Sequence, residues 1–224
     1  MSLGRLLIEG VAAMPDGNAY DQAYYAMSRP EAGRKSLVDT LRDRYIRRHV
    51  LRFRQTGRLL DIGCGLGLFL QSMTPPFEPF GTDISAYAVA QAQQRMPQAK
   101  LFVGSILDGL PFSVNFDVIT AINVVEHLEQ PALAVAAIRE RLQVGGLFVA
   151  HLPTIGNRLQ ARIYRGSYDA DPTHIYRPSG AEFRGVAEAA GFKTVFETYS
   201  PFAPAVLWRN LPWHPAYLAL FQAR

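Results

Sequence analysis

The sequence predicts an α/β protein, a doubly wound and mostly parallel sheet with helices on both faces. Three observations carry that expectation. Short apolar runs alternate with segments of helical spacing from residue 58 onward. The run "FDVITAIN" is continuous and rich in β-branched residues, as a strand covered on both faces must be. The first strand-like run ends in "DIGCGLG", where glycine recurs at every second position after an acid. Glycines so placed let the backbone approach a ligand with no Cβ in the way.

The elements follow in order. "RLLDIG" is the first strand, and a helix covers Leu68 to Met73. "FEPFGTDI" is the second strand. Ser85 caps a helix over "SAYAVAQAQQRM", which Pro97 stops. "AKLFVGS" and "FDVITAIN" are the third and fourth strands. Pro131 takes a first helical position ahead of "ALAVAAIRERL". "GGLFVAHLP" is the fifth strand, "SGAEFRGVAEAA" a helix closed by Gly191, and "FKTVFETYS" a further strand. Residues 1–57 read as an N-terminal helical extension or lid, 58–199 as the ligand-binding domain, and 200–224 as a tail. Residues 153–178 form a polar, aromatic, arginine-rich insert, and long inserts between core elements usually carry a binding function.

Composition narrows the classes. Of 224 residues, 49% are hydrophobic and 19% charged, enough for one sizeable core and too apolar for a disordered chain. One cysteine, Cys64, leaves no intramolecular disulfide to form, which fits a reducing, cytoplasmic setting; it reads as a small packed turn residue. No apolar run reaches membrane-spanning length, and the N-terminus lacks a signal-peptide pattern. Eleven Lys/Arg against six Asp/Glu lie in residues 1–58, so the basic excess is N-terminal. Leu37, Leu41, Tyr45, Ile46 and Val50 have helical spacing there, an amphipathic helix whose apolar side packs on the domain. Its basic side is either solvated or a phosphate- or membrane-facing patch.

The glycine turn sits where open α/β sheets bind ligands. Gly63, Gly65 and Gly67 give G-x-G-x-G, whereas the dinucleotide fingerprint requires a small residue where Leu68 stands. A nicotinamide-dependent oxidoreductase is therefore the weaker alternative. Asp83, at the end of the second strand, can accept both hydroxyls of a ribose or serve as a capping acid. Asp61 repels a pyrophosphate and suits an ammonium or sulfonium centre.

On these residues the chain resembles class I S-adenosylmethionine-dependent methyltransferases. "LLDIGCGLGLFL" is similar to their first motif, "GTDIS" to their second-strand acid motif, and "LPFSVNFDVITAINVVEHLEQP" and "LQVGGLFVAHLP" to their later junctions. The likeness is greatest to small-molecule O-methyltransferases of the ubiquinone-biosynthesis type and to relatives in glycan and natural-product pathways. It implies a seven-stranded Rossmann-like sheet, S-adenosylmethionine as cofactor and S-adenosylhomocysteine as product. It also implies that Asp61, Gly63, Gly65 and Gly67 line the methionine part. Asp83 would hold the ribose, Ile84, Ser105 and Ile106 the adenine, and Asn123 the transferred methyl, with Tyr25 of "YDQAYYAMS" covering the cofactor. Some relatives bind a divalent metal through Glu-x-x-Glu-His; Asn123 replaces the first acid here, so no metal is expected.

An oxygen acceptor needs a base, and histidine suits that task. His127, His151 and His174 can all reach the carboxyl edge of the sheet. His174, in "DPTHIYRPS", and His127 are the catalytic candidates; the alternatives are a lid-ordering bond from His174 and a turn tied down by Glu126 and His127. The expected partner is a small-molecule acceptor. No nucleic acid is expected, because neither an Asn-Pro-Pro-Tyr motif nor a Pro-Cys nucleophile is present. A catalytically silent cofactor-binding scaffold is the remaining alternative. The tail, "PFAPAVLWRNLPWHPAYLALFQAR", is a candidate for membrane-surface contact, for docking on the domain, or for a homodimer contact.

Overall fold

The computed structural model describes residues 35–199 and 213–224. Helix α1 (Leu37–Phe53) leads into β1 (Gly57–Ile62), α2 (Leu68–Met73), β2 (Phe77–Asp83), α3 (Ala86–Arg95), β3 (Lys100–Val103) and β4 (Phe116–Ile122). Then come α4 (Pro131–Arg141), β5 (Leu142–Pro153), α5 (Arg158–Ser167), α6 (Gly180–Ala189), β6 (Phe192–Thr198) and β7 (Ala216–Ala223). The seven strands make one sheet in the order β3-β2-β1-β4-β5-β7-β6. β1 to β5 pair in parallel, and β7 runs antiparallel to both β5 and β6. The doubly wound expectation holds.

Strand periodicity builds a core on each face. Leu59, Val118, Leu147, Val149, Leu218 and Leu220 pack on one side with Ile46 and Val50 of α1 and Phe69, Leu70 and Met73 of α2. Leu60, Ile119, Phe148, Ala150, Ala219 and Phe221 point the other way, against Val135 and Ile138 of α4 and Phe183 and Ala187 of α6. Local signals set the helix starts. Ser85 accepts from the Ala88 amide at 3.1 Å. Ser179 and Glu182 form a reciprocal capping box at α6.

Two expectations are sharpened. The described part of the tail contains β7, whose Tyr217, Leu218, Leu220 and Phe221 are fully buried, as the docking alternative expected, while Trp213 ahead of it is 51% exposed. Those apolar residues are spent inside the sheet and are withheld from any membrane surface; residues 200–212 lie outside the described residues. The second concerns α1. Ile46 and Val50 are buried as expected, but Leu37 and Leu41 are 75% and 42% exposed, while Arg42 and Asp43 face inward. A polar cavity behind the helix accounts for this inversion.

Candidate active site

A cavity of about 370 Å³ opens at the carboxyl ends of β1, β2, β3 and β4. β1 delivers the glycine turn, with Gly63 and Gly65 in the left-handed region at φ 64° and 50°. A Cβ on Gly63 would lie 2.4 Å from a Val124 methyl, so glycine is needed there for space as well as for conformation. The Gly65 amide donates to Asp83 Oδ2 at 2.8 Å, and the Ser85 amide donates to Oδ1 at 2.9 Å. Burial pushes the Asp83 carboxyl above its ordinary value, and the two amides pull it back. Asp83 thus acts as a turn acid and lines the cavity too, with a lone pair left on each oxygen for a hydroxyl donor.

Asp61 is 2% exposed and accepts the Thr120 hydroxyl at 2.6 Å. Burial pushes its carboxyl up to about 7; the Thr120 bond works against this, and Asp43 and Asp83 add to it. A positive centre in the cavity would restore its charge. Ile84, Ser105 and Ile106 line the wall beyond Asp83. The Ser105 hydroxyl accepts from the Leu107 amide at 3.2 Å and caps a single turn over Ile106–Asp108. Asn123 takes a left-handed φ of 56°, and its side-chain oxygen accepts from His151 Nδ1 at 2.6 Å. His151 therefore stands behind Asn123, not in the cavity wall.

Gly67 departs from the expected set. It does not line the cavity but caps α2 at φ 75°, where an added Cβ would meet Ala92 Cβ at 3.0 Å. Its role is the close approach of α2 and α3. Tyr25 lies outside the described residues.

Sequence reasoning missed Lys35, Arg42 and Asp43 at the cavity. Arg42 bridges Asp39 and Asp43, each at 2.9 Å, and Lys35 pairs with Asp43. Arg42 and Asp43 are 7% and 2% exposed. The available signal was their placement on the helix face shared by Ile46 and Val50, where a solvated charge has no place.

The insert folds back onto the turn after β4. The Ile175 and Tyr176 amides donate to the Glu126 carbonyl at 3.0 and 2.9 Å. His127 Nδ1 meets the Thr173 hydroxyl at 2.8 Å, and that hydroxyl donates to Asp171. This order puts the proton on Nδ1 and the lone pair on Nε2. His174 stands edge-on to His127, 4.8 Å between ring centres, with Tyr164 OH 3.3 Å from its Nδ1. Both histidines line the cavity. Burial, then the neighbouring His174, holds His127 below its ordinary value; burial also lowers His174 against the pull of Asp171.

Glu126 is the other group the sequence underrated. Its carbonyl clasps the insert, but its carboxyl oxygens are buried with no hydrogen-bond partner among the described residues. Burial pushes that carboxyl up to about 8. Ligand-type atoms of Glu126, His127 and His174 lie within 4.8 Å of one another. The sequence offered only the adjacent pair; the fold supplies His174 as a third group, a set that could hold a divalent cation.

Both the sequence and the fold have known relatives. A family model described as a methyltransferase domain matches residues 38–197. The chain is 30% identical over 99 residues to a dTDP-3-amino-3,4,6-trideoxy-alpha-D-glucopyranose N,N-dimethyltransferase of Streptomyces venezuelae, across 42% of each chain. It is 30% identical over 113 residues to the mitochondrial ubiquinone biosynthesis O-methyltransferase of Schizosaccharomyces pombe, across 47% of this chain and 40% of that one. The chain spans about two-fifths of the length of these curated relatives. Among solved structures, the fold matches magnesium protoporphyrin IX methyltransferase of Synechocystis with bound SAH at a TM-score of 0.67 and 12% identity, covering 92% and 97% of the two chains. A TehB-like S-adenosylmethionine-dependent methyltransferase of Corynebacterium glutamicum matches at 0.65 and 20%, covering 93% and 98%.

Proposed function

The chain belongs to the methyltransferase-domain family, and from that premise we propose that it transfers the methyl group of S-adenosylmethionine to an oxygen of a small-molecule acceptor. The observation that carries the proposal is one cavity lined by two chemically distinct sets of groups. One set is Asp61, the glycine turn and Asp83, from the ends of β1 and β2; the other is His127, His174 and Asp171, from the turn after β4 and the insert. Asp61 matches a cationic cofactor, because ionising a buried carboxyl is favourable only beside positive charge. Asp83, held by two amides, is set to accept the ribose hydroxyls, and the Gly63 and Gly65 backbone leaves room for the methionine chain. The buried cation Arg42 suits the methionine carboxylate. These contacts are those of a phosphate-free cofactor, which disfavours the nicotinamide alternative.

Methyl transfer from a sulfonium is an in-line displacement: the acceptor oxygen forms the new C–O bond as the S–C bond breaks. The protein positions the two reactants and excludes water. The oxygen's proton leaves to a base. His127 is oriented for that by the Asp171–Thr173 hydroxyl chain, which leaves its Nε2 lone pair as the proton acceptor. His174 faces the same space. The curated ubiquinone-pathway relatives support an oxygen acceptor.

The separate variants His127→Ala and His174→Ala test the base. At least one should lower turnover about 100-fold or more while leaving S-adenosylhomocysteine affinity, read by calorimetry, within about twofold. Wild-type turnover in both variants, with an accepted substrate, would reject the histidine base. Failure of S-adenosylmethionine to bind at all would reject the cofactor assignment, which the scaffold alternative shares.

A further inference from the structure

The outward face of α1 lies on the side of the helix away from Arg42 and Asp43. At 3.6 residues per turn, Leu37, Leu41, Arg44, Arg48 and Arg52 fall on one stripe about 22 Å long. Leu37 and Leu41 are 75% and 42% exposed, and Val38 beside them is 56% exposed. The three arginines are exposed as well. None of the three has an ion pair or hydrogen bond among the described residues. The acids of α1 turn elsewhere: Asp39 and Asp43 both bind Arg42. The stripe therefore carries three positive charges, no negative charge, and an exposed apolar cluster at its N-terminal end.

We propose that this face docks on an anionic lipid surface. Leu37, Val38 and Leu41 would enter the boundary between headgroups and acyl chains, where their exposure stops costing free energy. Arg44, Arg48 and Arg52 would pair with lipid phosphates, which guanidinium groups bind through two parallel hydrogen bonds. Nucleic acid satisfies the arginines but leaves the leucines and valine in water, so charge and hydropathy together favour the bilayer. The inner side of the same helix supplies Arg42 and Asp43 to the cavity. Docking therefore places the cavity about one helix diameter, ~10 Å, from the lipid. The proposal is independent of the methyl acceptor and of the base.

Cosedimentation of the full chain with two kinds of vesicle tests it: phosphatidylcholine alone, and phosphatidylcholine mixed with phosphatidylglycerol. The chain should bind the mixed vesicles, weaken with added salt, and ignore the neutral ones. The triple variant Arg44→Glu, Arg48→Glu, Arg52→Glu should partition roughly 100-fold less. The triple variant Leu37→Ser, Val38→Ser, Leu41→Ser should lose about tenfold. All six side chains point to solvent, so both variants should keep the wild-type melting temperature and S-adenosylhomocysteine affinity. The phosphatidylglycerol dependence of the unaltered chain needs no variant at all. Equal binding to both vesicles, binding to neither, or an arginine variant that binds like wild type overturns the proposal. So does retention of RNA by a chain that ignores vesicles.

Discussion

Asp61, placed against the cofactor as proposed, would couple cofactor binding to a proton. Its carboxyl is raised from an ordinary 3.8 to about 7, chiefly by burial. Between those values the folded chain holds a proton that the unfolded chain has released. The ligand-free fold should therefore lose stability as pH rises through that window. A cationic cofactor reverses the preference by favouring the carboxylate. S-adenosylmethionine affinity should thus increase as pH rises through about 7, with proton release on binding. Calorimetry in buffers of different ionisation enthalpy reads both effects, and Asp61→Asn should abolish both. A flat affinity profile in the unaltered protein would remove Asp61 from cofactor recognition. Gly63 offers a second check at this scale. Gly63→Ala must accept a positive φ and the Val124 contact at 2.4 Å. It should cost about 2 kcal/mol or more in thermal unfolding and weaken cofactor binding. The acid and the glycines were legible in the sequence because their chemistry is local. That Gly67 serves helix packing was not, because its neighbour Ala92 is 25 residues away in the chain.

Among the elements, the insert and α1 complete the wall of the cavity. The insert reads from the sequence as a polar, aromatic stretch. The structure forms α5 from part of it and then clasps the following loop to the Glu126 carbonyl. That clasp holds Thr173 and His174 against His127. Thr173→Val keeps the shape and removes the hydroxyl between Asp171 and His127. Turnover should fall about tenfold, the order of one hydrogen bond in an ionised network, with cofactor affinity unchanged. Unchanged turnover would mean that the chain of hydroxyl and carboxylate does not orient the base. For α1, periodicity alone predicts a helix correctly. It misassigns the apolar end, because the cavity draws Arg42 and Asp43 inward and rotates Leu37 and Leu41 outward.

For the whole molecule, the last residues matter most. β7 lies between β5 and β6 and pairs with both. A chain ending at residue 199 would leave β5 and β6 unpaired on facing edges and remove Tyr217, Leu218, Leu220 and Phe221 from the core. It should show no cooperative melting transition in calorimetry. A cooperative transition near that of the full chain would show that β7 is dispensable. Sequence by itself determined the alternation of strands and helices, the left-handed glycines and the two acids Asp61 and Asp83, on which the family resemblance and its cofactor rest. Each of these follows from local backbone preference or from short-range spacing. Only the tertiary structure decided that the tail is an inner strand, that Arg42 and Asp43 face the cavity, and that Glu126, His127 and His174 converge. Those outcomes depend on which residues far apart in the chain exclude water together, and that is settled by packing across the sheet.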